Sequence, residues 1–127
     1  MNSNEFRAEL VKIMPGYSWT VHRDPAWLRK ACELESRSVL TATGTQSSGS
    51  NRLSTLEVSR RDDGGSVAYT AKSSGYGTRA RWLHEHTDGT LARALRGLQD
   101  HYRAVAATHR SHAEALEHGR KAEGGAA

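Results

Sequence analysis

Fourteen of the eighteen basic residues in this chain are arginine, and four of them fall where they can act together. Arg93, Arg96, Arg103 and Arg110 recur at three- and seven-residue intervals, which keeps them on one side of a helix. At 1.5 Å of rise per residue they would form a rail about 25 Å long. A guanidinium keeps its charge when partly desolvated, and its planar fork matches a phosphate or a carboxylate. Within this stripe Asp100 is the single acid, so the face is strongly one-signed and suits an anionic partner. The ordinary alternative is a solvated helix face, which is what most charge runs are. A coding bias toward arginine would also raise the ratio.

A second cationic stretch is Lys72-Ser73-Ser74-Gly75-Tyr76-Gly77-Thr78-Arg79-Ala80-Arg81. Its glycines would let backbone approach a phosphate, Tyr76 could stack on a base, and Lys72, Arg79 and Arg81 supply charge. The Gly-Lys-Ser/Thr order of a P-loop is missing, and a flexible loop is the structural alternative. Arg52, Arg60 and Arg61 would extend this surface if the hairpin tip lies nearby. The third candidate is His84-Glu85-His86-Thr87-Asp88-Gly89, where alternate histidines on an extended segment can hold a metal. It resembles the first five positions of the His-x-His-x-Asp-His motif of metallo-β-lactamase-fold hydrolases, which would make His84, His86 and Asp88 ligands. Gly89 replaces the final histidine and the chain is short for that fold, so the match is read as chance. No nucleophilic triad or carboxylate pair stands out. The expectation is a binding protein without catalytic residues, resident metal or cofactor.

The elements that must position these residues read as α+β. Phe6, Leu10 and Ile13 recur at helical spacing over 3–13, with Asn2 and Glu5 in capping-box register and Pro15-Gly16 as the stop. Tyr17, Trp19 and Val21 alternate with polar residues as in a half-buried strand. Asp24-Pro25 opens a second short helix, with Trp27, Leu28, Ala31 and Leu34 on one face. Strands follow at about 38–45, 52–60 and 66–73, the last two joined by the turn Asp62-Asp63-Gly64-Gly65. This predicts an antiparallel meander of three to four strands, with a short N-terminal helix and a long C-terminal helix packed on one face.

The long helix spans about 90–118, from the capping candidates Thr87, Asp88 and Thr90 to Gly119. At roughly 43 Å it is longer than the ~36 Å diameter expected of a domain this size, so part of it should overhang. Leu91, Leu95, Leu98, Tyr102, Val105, His109, His112 and Leu116 are spaced four and three residues alternately, a heptad-type seam. The first half suits packing on the sheet. Two histidines are poor core filling, so Tyr102, Val105, His109, His112 and Leu116 form a candidate seam for a partner or a second copy. Residues 1–120 are expected to form one domain and 121–127 a disordered tail.

Composition bounds the rest. Of 127 residues 36% are hydrophobic and 25% charged, with a net charge of +4 and one cysteine, Cys32. A single thiol rules out an internal disulfide, and no apolar run is long enough to span a bilayer. These features predict a cytoplasmic setting with no membrane partner.

Gly44-Thr45-Gln46-Ser47-Ser48-Gly49 and Gly89-Thr90-Leu91-Ala92-Arg93-Ala94-Leu95-Arg96-Gly97-Leu98 resemble small accessory open reading frames of proteobacterial temperate phages. The resemblance covers about a fifth of the chain. It implies a phage accessory protein: an inhibitor of host defence of the anti-CRISPR kind, or a regulator of nucleic-acid machinery in the host bacterial cytoplasm. Its partner would be a host protein or ribonucleoprotein complex, blocked by occlusion. Direct DNA or RNA binding and a homodimeric structural adaptor are the alternatives. The helix–strands–helix order is also similar to double-stranded-RNA-binding domains, and the sheet plus helix to arm-type integrase DNA-binding domains. The basic cluster that opens the last helix of the RNA-binding family is replaced here by Thr87-Asp88-Gly89-Thr90.

Overall fold

The computed structural model describes residues 1–23, 26–34, 38–48, 51–75 and 81–126. In chain order the elements are α1 (Ser3–Ile13), β1 (Ser18–His22), α2 (Ala26–Leu34), β2 (Ser38–Ser48), β3 (Asn51–Asp62), β4 (Val67–Ser74), β5 (Trp82–Asp88) and α3 (Leu91–Ala126). The five strands form one antiparallel sheet in sequence order, β1-β2-β3-β4-β5. The α+β meander expected from the sequence is therefore present, with five strands rather than three to four.

Alternation along the strands selects the covered face. Trp19 and Val21 of β1 pair with Gly44 and Ala42 of β2, and these align through Leu56 and Val58 of β3 with Ser73 and Ala71 of β4. Phe6 and Leu10 of α1 and Leu91, Ala94 and Leu98 of α3 are buried with Ala42, Leu56, Val58, Tyr69 and Ala71 in a single core. Two fully buried leucines, Leu10 and Leu91, contribute about 2 kcal/mol each from apolar area removed from water.

Local chemistry sets the ends of the elements. The Asn2 side chain accepts a hydrogen bond from the Glu5 amide at 2.9 Å and so caps α1. At the β3–β4 turn, Gly64 and Gly65 take φ of 78° and 122°, and both amides donate to the Asp62 carboxylate. Thr90 caps α3, its hydroxyl accepting from the Arg93 amide at 3.2 Å. One glycine is required by packing within the sheet. A Cβ on Gly44 would lie 2.8 Å from the ring of Trp19, whose indole nitrogen donates to the Met14 carbonyl at 3.1 Å.

Three elements depart from the expectation. β5 is a full strand, paired with β4 from Tyr69↔Asp88 to Ser74↔Trp82. Helix α3 continues through Gly119, the expected stop, to Ala126. A mid-helix glycine costs about 1 kcal/mol. The Lys121–Glu117 pair at 3.6 Å returns only a few tenths of that. On α2, two residues of the expected apolar face stand clear of the core: Trp27 is 72% and Leu34 84% exposed.

Candidate docking surface

Helix α3 divides at Tyr102. On its sheet side Leu91, Ala94 and Leu98 are buried and Leu95, His101 and Tyr102 are half-buried, whereas every side chain from Arg103 to Lys121 is exposed. The helix thus projects beyond the sheet, as its length requires. Arg93, Arg96, Arg103 and Arg110 are all exposed and lie on the side turned away from the core residues. Among the described residues no carboxylate stands within 4.0 Å of any of the four guanidinium groups. Arg96, Arg103 and Arg110 are separated by two helical turns each, about 10 Å along the axis. That is close to the Debye length at physiological ionic strength, so the mutual repulsion is weak and the row is tolerated in water.

The other cationic candidates are scattered. Arg60 turns inward, its side chain only 11% exposed, and its Nε donates to the Tyr69 hydroxyl at 3.1 Å. The same hydroxyl donates to Glu9 Oε2 at 3.4 Å. Burial raises the Tyr69 pKa above its ordinary value and Glu9 raises it further, against the lowering effect of Arg60. Arg60 therefore supports the Tyr69 hydroxyl that ties α1 to the sheet, instead of joining a basic surface. Lys72 is engaged on the uncovered face, 3.7 Å from Glu57 and 4.5 Å from the centre of the Trp82 ring. Arg61 lines a depression on that face together with Glu57, Lys72 and Glu85. Arg81 is exposed. Tyr76 and Arg79, the rest of the 72–81 candidate, lie outside the described residues.

The histidine motif serves packing. His84, His86 and Asp88 face α3, while Glu85 and Thr87 face the open side of the sheet. The rings of His84 and His101 stack with centroids 3.4 Å apart, and His86 lies 3.9 Å from Asp88. Gly97 makes room for it: a Cβ there would come within 2.2 Å of the His86 ring. Ser73 and Tyr102 share a hydrogen bond beside the stack. Among the described residues no three His, Cys, Asp or Glu side chains are placed to hold a metal. The sequence signal for this contact was Gly97 itself, since a glycine inside a helical pattern marks a close approach.

Sequence reasoning did not reveal a groove of about 820 Å³ between the proximal half of α3 and the segment joining α1 to β1. Leu56, Leu95 and Leu98 form part of its lining, Met14 and Tyr17 close one side, and Arg96 and Arg103 stand on the other. Tyr17 is held by a hydrogen bond from its hydroxyl to Ser54 Oγ at 3.0 Å. Half of the arginine rail is therefore also the border of a concave, largely apolar surface. Of the distal seam, Tyr102 is half-buried against the sheet, and beyond it the seam is exposed, with Val105 at 39% and Leu116 at 72% and His109 and His112 exposed between them.

Comparison with protein-family models, with curated proteins and with solved structures finds no match for the chain. No helix among the described residues is long and apolar enough to cross a membrane.

Proposed function

We propose that this chain is a small non-enzymatic binding protein that docks through the cationic side of α3 on a host complex that handles nucleic acid, and occludes it. The row of four exposed arginines without carboxylate partners among the described residues carries the reading. A side chain already paired would have to break that pair to meet a partner, whereas these four pay only their own desolvation and ordering. The phage resemblance of the sequence supplies the setting: a phage or prophage product, active in the host bacterial cytoplasm, of the anti-CRISPR kind.

The test is affinity capture from host lysate with and without nuclease, using the wild type and a variant carrying Arg93→Glu, Arg96→Glu, Arg103→Glu and Arg110→Glu. A protein partner that survives nuclease and is lost with the variant supports the reading. Partners lost entirely to nuclease would replace it with direct DNA or RNA binding. Four arginine–phosphate contacts would then give a slope of log affinity against log salt of about −3.6.

The projecting seam favours a second reading, a homodimeric adaptor. Tyr102, Val105, His109, His112 and Leu116 run along a helix segment that is exposed beyond Tyr102. A dimer in sedimentation that persists in the four-arginine variant, with function intact, would favour it.

A further inference from the structure

The groove beside α3 joins two chemistries that seldom share a free surface. On the helix its lining runs Ala92, Leu95, Arg96, Gln99, Tyr102 and Arg103. The three- and four-residue intervals present one continuous stripe, the surface a second helix packs against. Leu56 lies below it on the sheet, and Ile13, Met14 and Tyr17 face it from the opposite side. Arg96 and Arg103 are the charged side chains among the described lining residues, and none of those residues is acidic. Leucine and methionine offer little to a phosphate backbone, and guanidinium groups offer little to an apolar partner. An occupant that satisfies both is apolar along one edge and acidic along the next.

We infer that the groove takes an acidic amphipathic helix of a partner protein, whose apolar residues enter between α3 and Met14–Tyr17 and whose carboxylates meet Arg96 and Arg103. The inference rests on the reading of α3 as the docking surface and assigns the chemistry of the partner there. An apolar edge spaced at three and four residues is the standard fit of a helix to a groove, and the flanking acids fix its orientation. Bidentate carboxylate–guanidinium pairs at the groove border gain from the partial exclusion of water. Arg93 and Arg110 lie outside the lining and would contribute by long-range attraction only.

Random peptide display on the full chain, followed by fluorescence polarisation with the selected peptides, tests this. The expected peptides carry leucine-like residues at three- and four-residue spacing with Asp or Glu beside them. Arg96→Glu and Arg103→Glu should each weaken binding by about tenfold or more, the loss of one charge-assisted pair. Ala106→Trp and Gln99→Trp change exposed positions that line the groove, fill it, and should weaken binding comparably. Arg93→Glu and Arg110→Glu should weaken it by no more than about threefold, because screening limits distant charges. Circular dichroism melting of each variant verifies that it folds. No selected peptides, selected peptides without acids, or affinity unchanged by either tryptophan overturns the inference. So does a single-stranded oligonucleotide that binds in their place and is displaced from both tryptophan variants. If the groove variants keep the lysate partner while the four-arginine variant loses it, the groove is excluded and the cationic docking face remains. Loss of that partner from neither set removes both.

Discussion

Replacing Gly97 by alanine sets two effects of known size against each other. In an exposed helix interior the change stabilises by about 1 kcal/mol, since alanine restricts the unfolded chain and glycine does not. Here the new methyl group would lie 2.2 Å from Cδ2 and Nε2 of His86 and 2.6 Å from its Cγ, well inside van der Waals contact. Either His86 rotates away or α3 lifts from β5. Rotation gives up the 3.9 Å approach to Asp88, a half-exposed pair worth at most about 1 kcal/mol. Lifting the helix disturbs the neighbouring His84–His101 stack and the burial of Ala94 and Leu98, and overpacking of this kind costs about 1–3 kcal/mol. The balance runs from about zero, if His86 rotates, to a net destabilisation of about 1 kcal/mol, if the helix lifts. Urea unfolding of Gly97→Ala, His86→Ala and the double variant measures it directly. With His86 removed the nearest clashing atoms are gone, so Gly97→Ala should stabilise that background by about 1 kcal/mol, a coupling of roughly 1–2 kcal/mol. If Gly97→Ala stabilises the protein equally with and without His86, the close approach of helix and strand does not exist as described.

Three further outcomes follow from named contacts. Gly44→Ala should destabilise by about 1–3 kcal/mol in urea, because Trp19, 2.8 Å from the added methyl, is anchored by its bond to Met14. Partial recovery in a Gly44→Ala, Trp19→Leu double variant would identify the clash as the cause. The raised Tyr69 pKa makes stability pH-dependent at the alkaline end. Above about pH 10 the unfolded chain releases this proton before the folded one does, so the folded state weakens as pH rises through the folded pKa. Tyr69→Phe, though less stable throughout, should show a smaller alkaline fall in its urea midpoint; an unchanged fall would place its origin elsewhere. Ending the chain after Ala107 removes a stretch of α3 whose described side chains, 108–121, are all exposed, so the melting temperature should stay within a few degrees. A dimer lost with that truncation would assign self-association to the distal seam.

Most of this architecture was legible because apolar spacing and turn chemistry agree over most elements. The alternation of Trp19 with Val21, Leu56 with Val58 and Tyr69 with Ala71 placed β1, β3 and β4, and Asp62-Asp63-Gly64-Gly65 placed the hairpin. β5 escaped for a physical reason. Its covered positions are His84, His86 and Asp88, and Glu85 and Thr87 are polar on the open face, so the strand shows no hydrophobic alternation. What it buries is aromatic stacking and a ring seated on Gly97, neither of which a hydrophobic period can report. Arg60 illustrates the converse limit. Beside Arg61 in sequence it reads as one basic patch, yet strand alternation sends the two to opposite faces, and only the position of Tyr69 and Glu9 shows why the inward charge is tolerated. The groove could not be read at all, because it depends on how far α1 and α3 stand apart on the sheet.

The division of α3 carries the functional argument furthest. Among the described side chains, a helix that ended at Tyr102 would already bury every core residue α3 contributes, so the core gives no reason for the exposed stretch 103–121 that follows. An unsupported helix of that length is only marginally stable in water, since helical segments in proteins are held mainly by packing along an apolar face. Val105 and Leu116 lie on such a face, but His109 and His112 between them make it a weak one, suited to a contact that forms and releases rather than a permanent core. The two halves therefore have different work. The proximal half is rigidly seated and fixes Arg96 and Arg103 against the groove. The distal half extends the charged side to Arg110 and, under the docking proposal, would be available to whatever the proximal half engages. Cationic residues on the rigid part would set which partner docks, and the projecting part would add occluded area, which is the combination that blocking a large complex with a small protein demands.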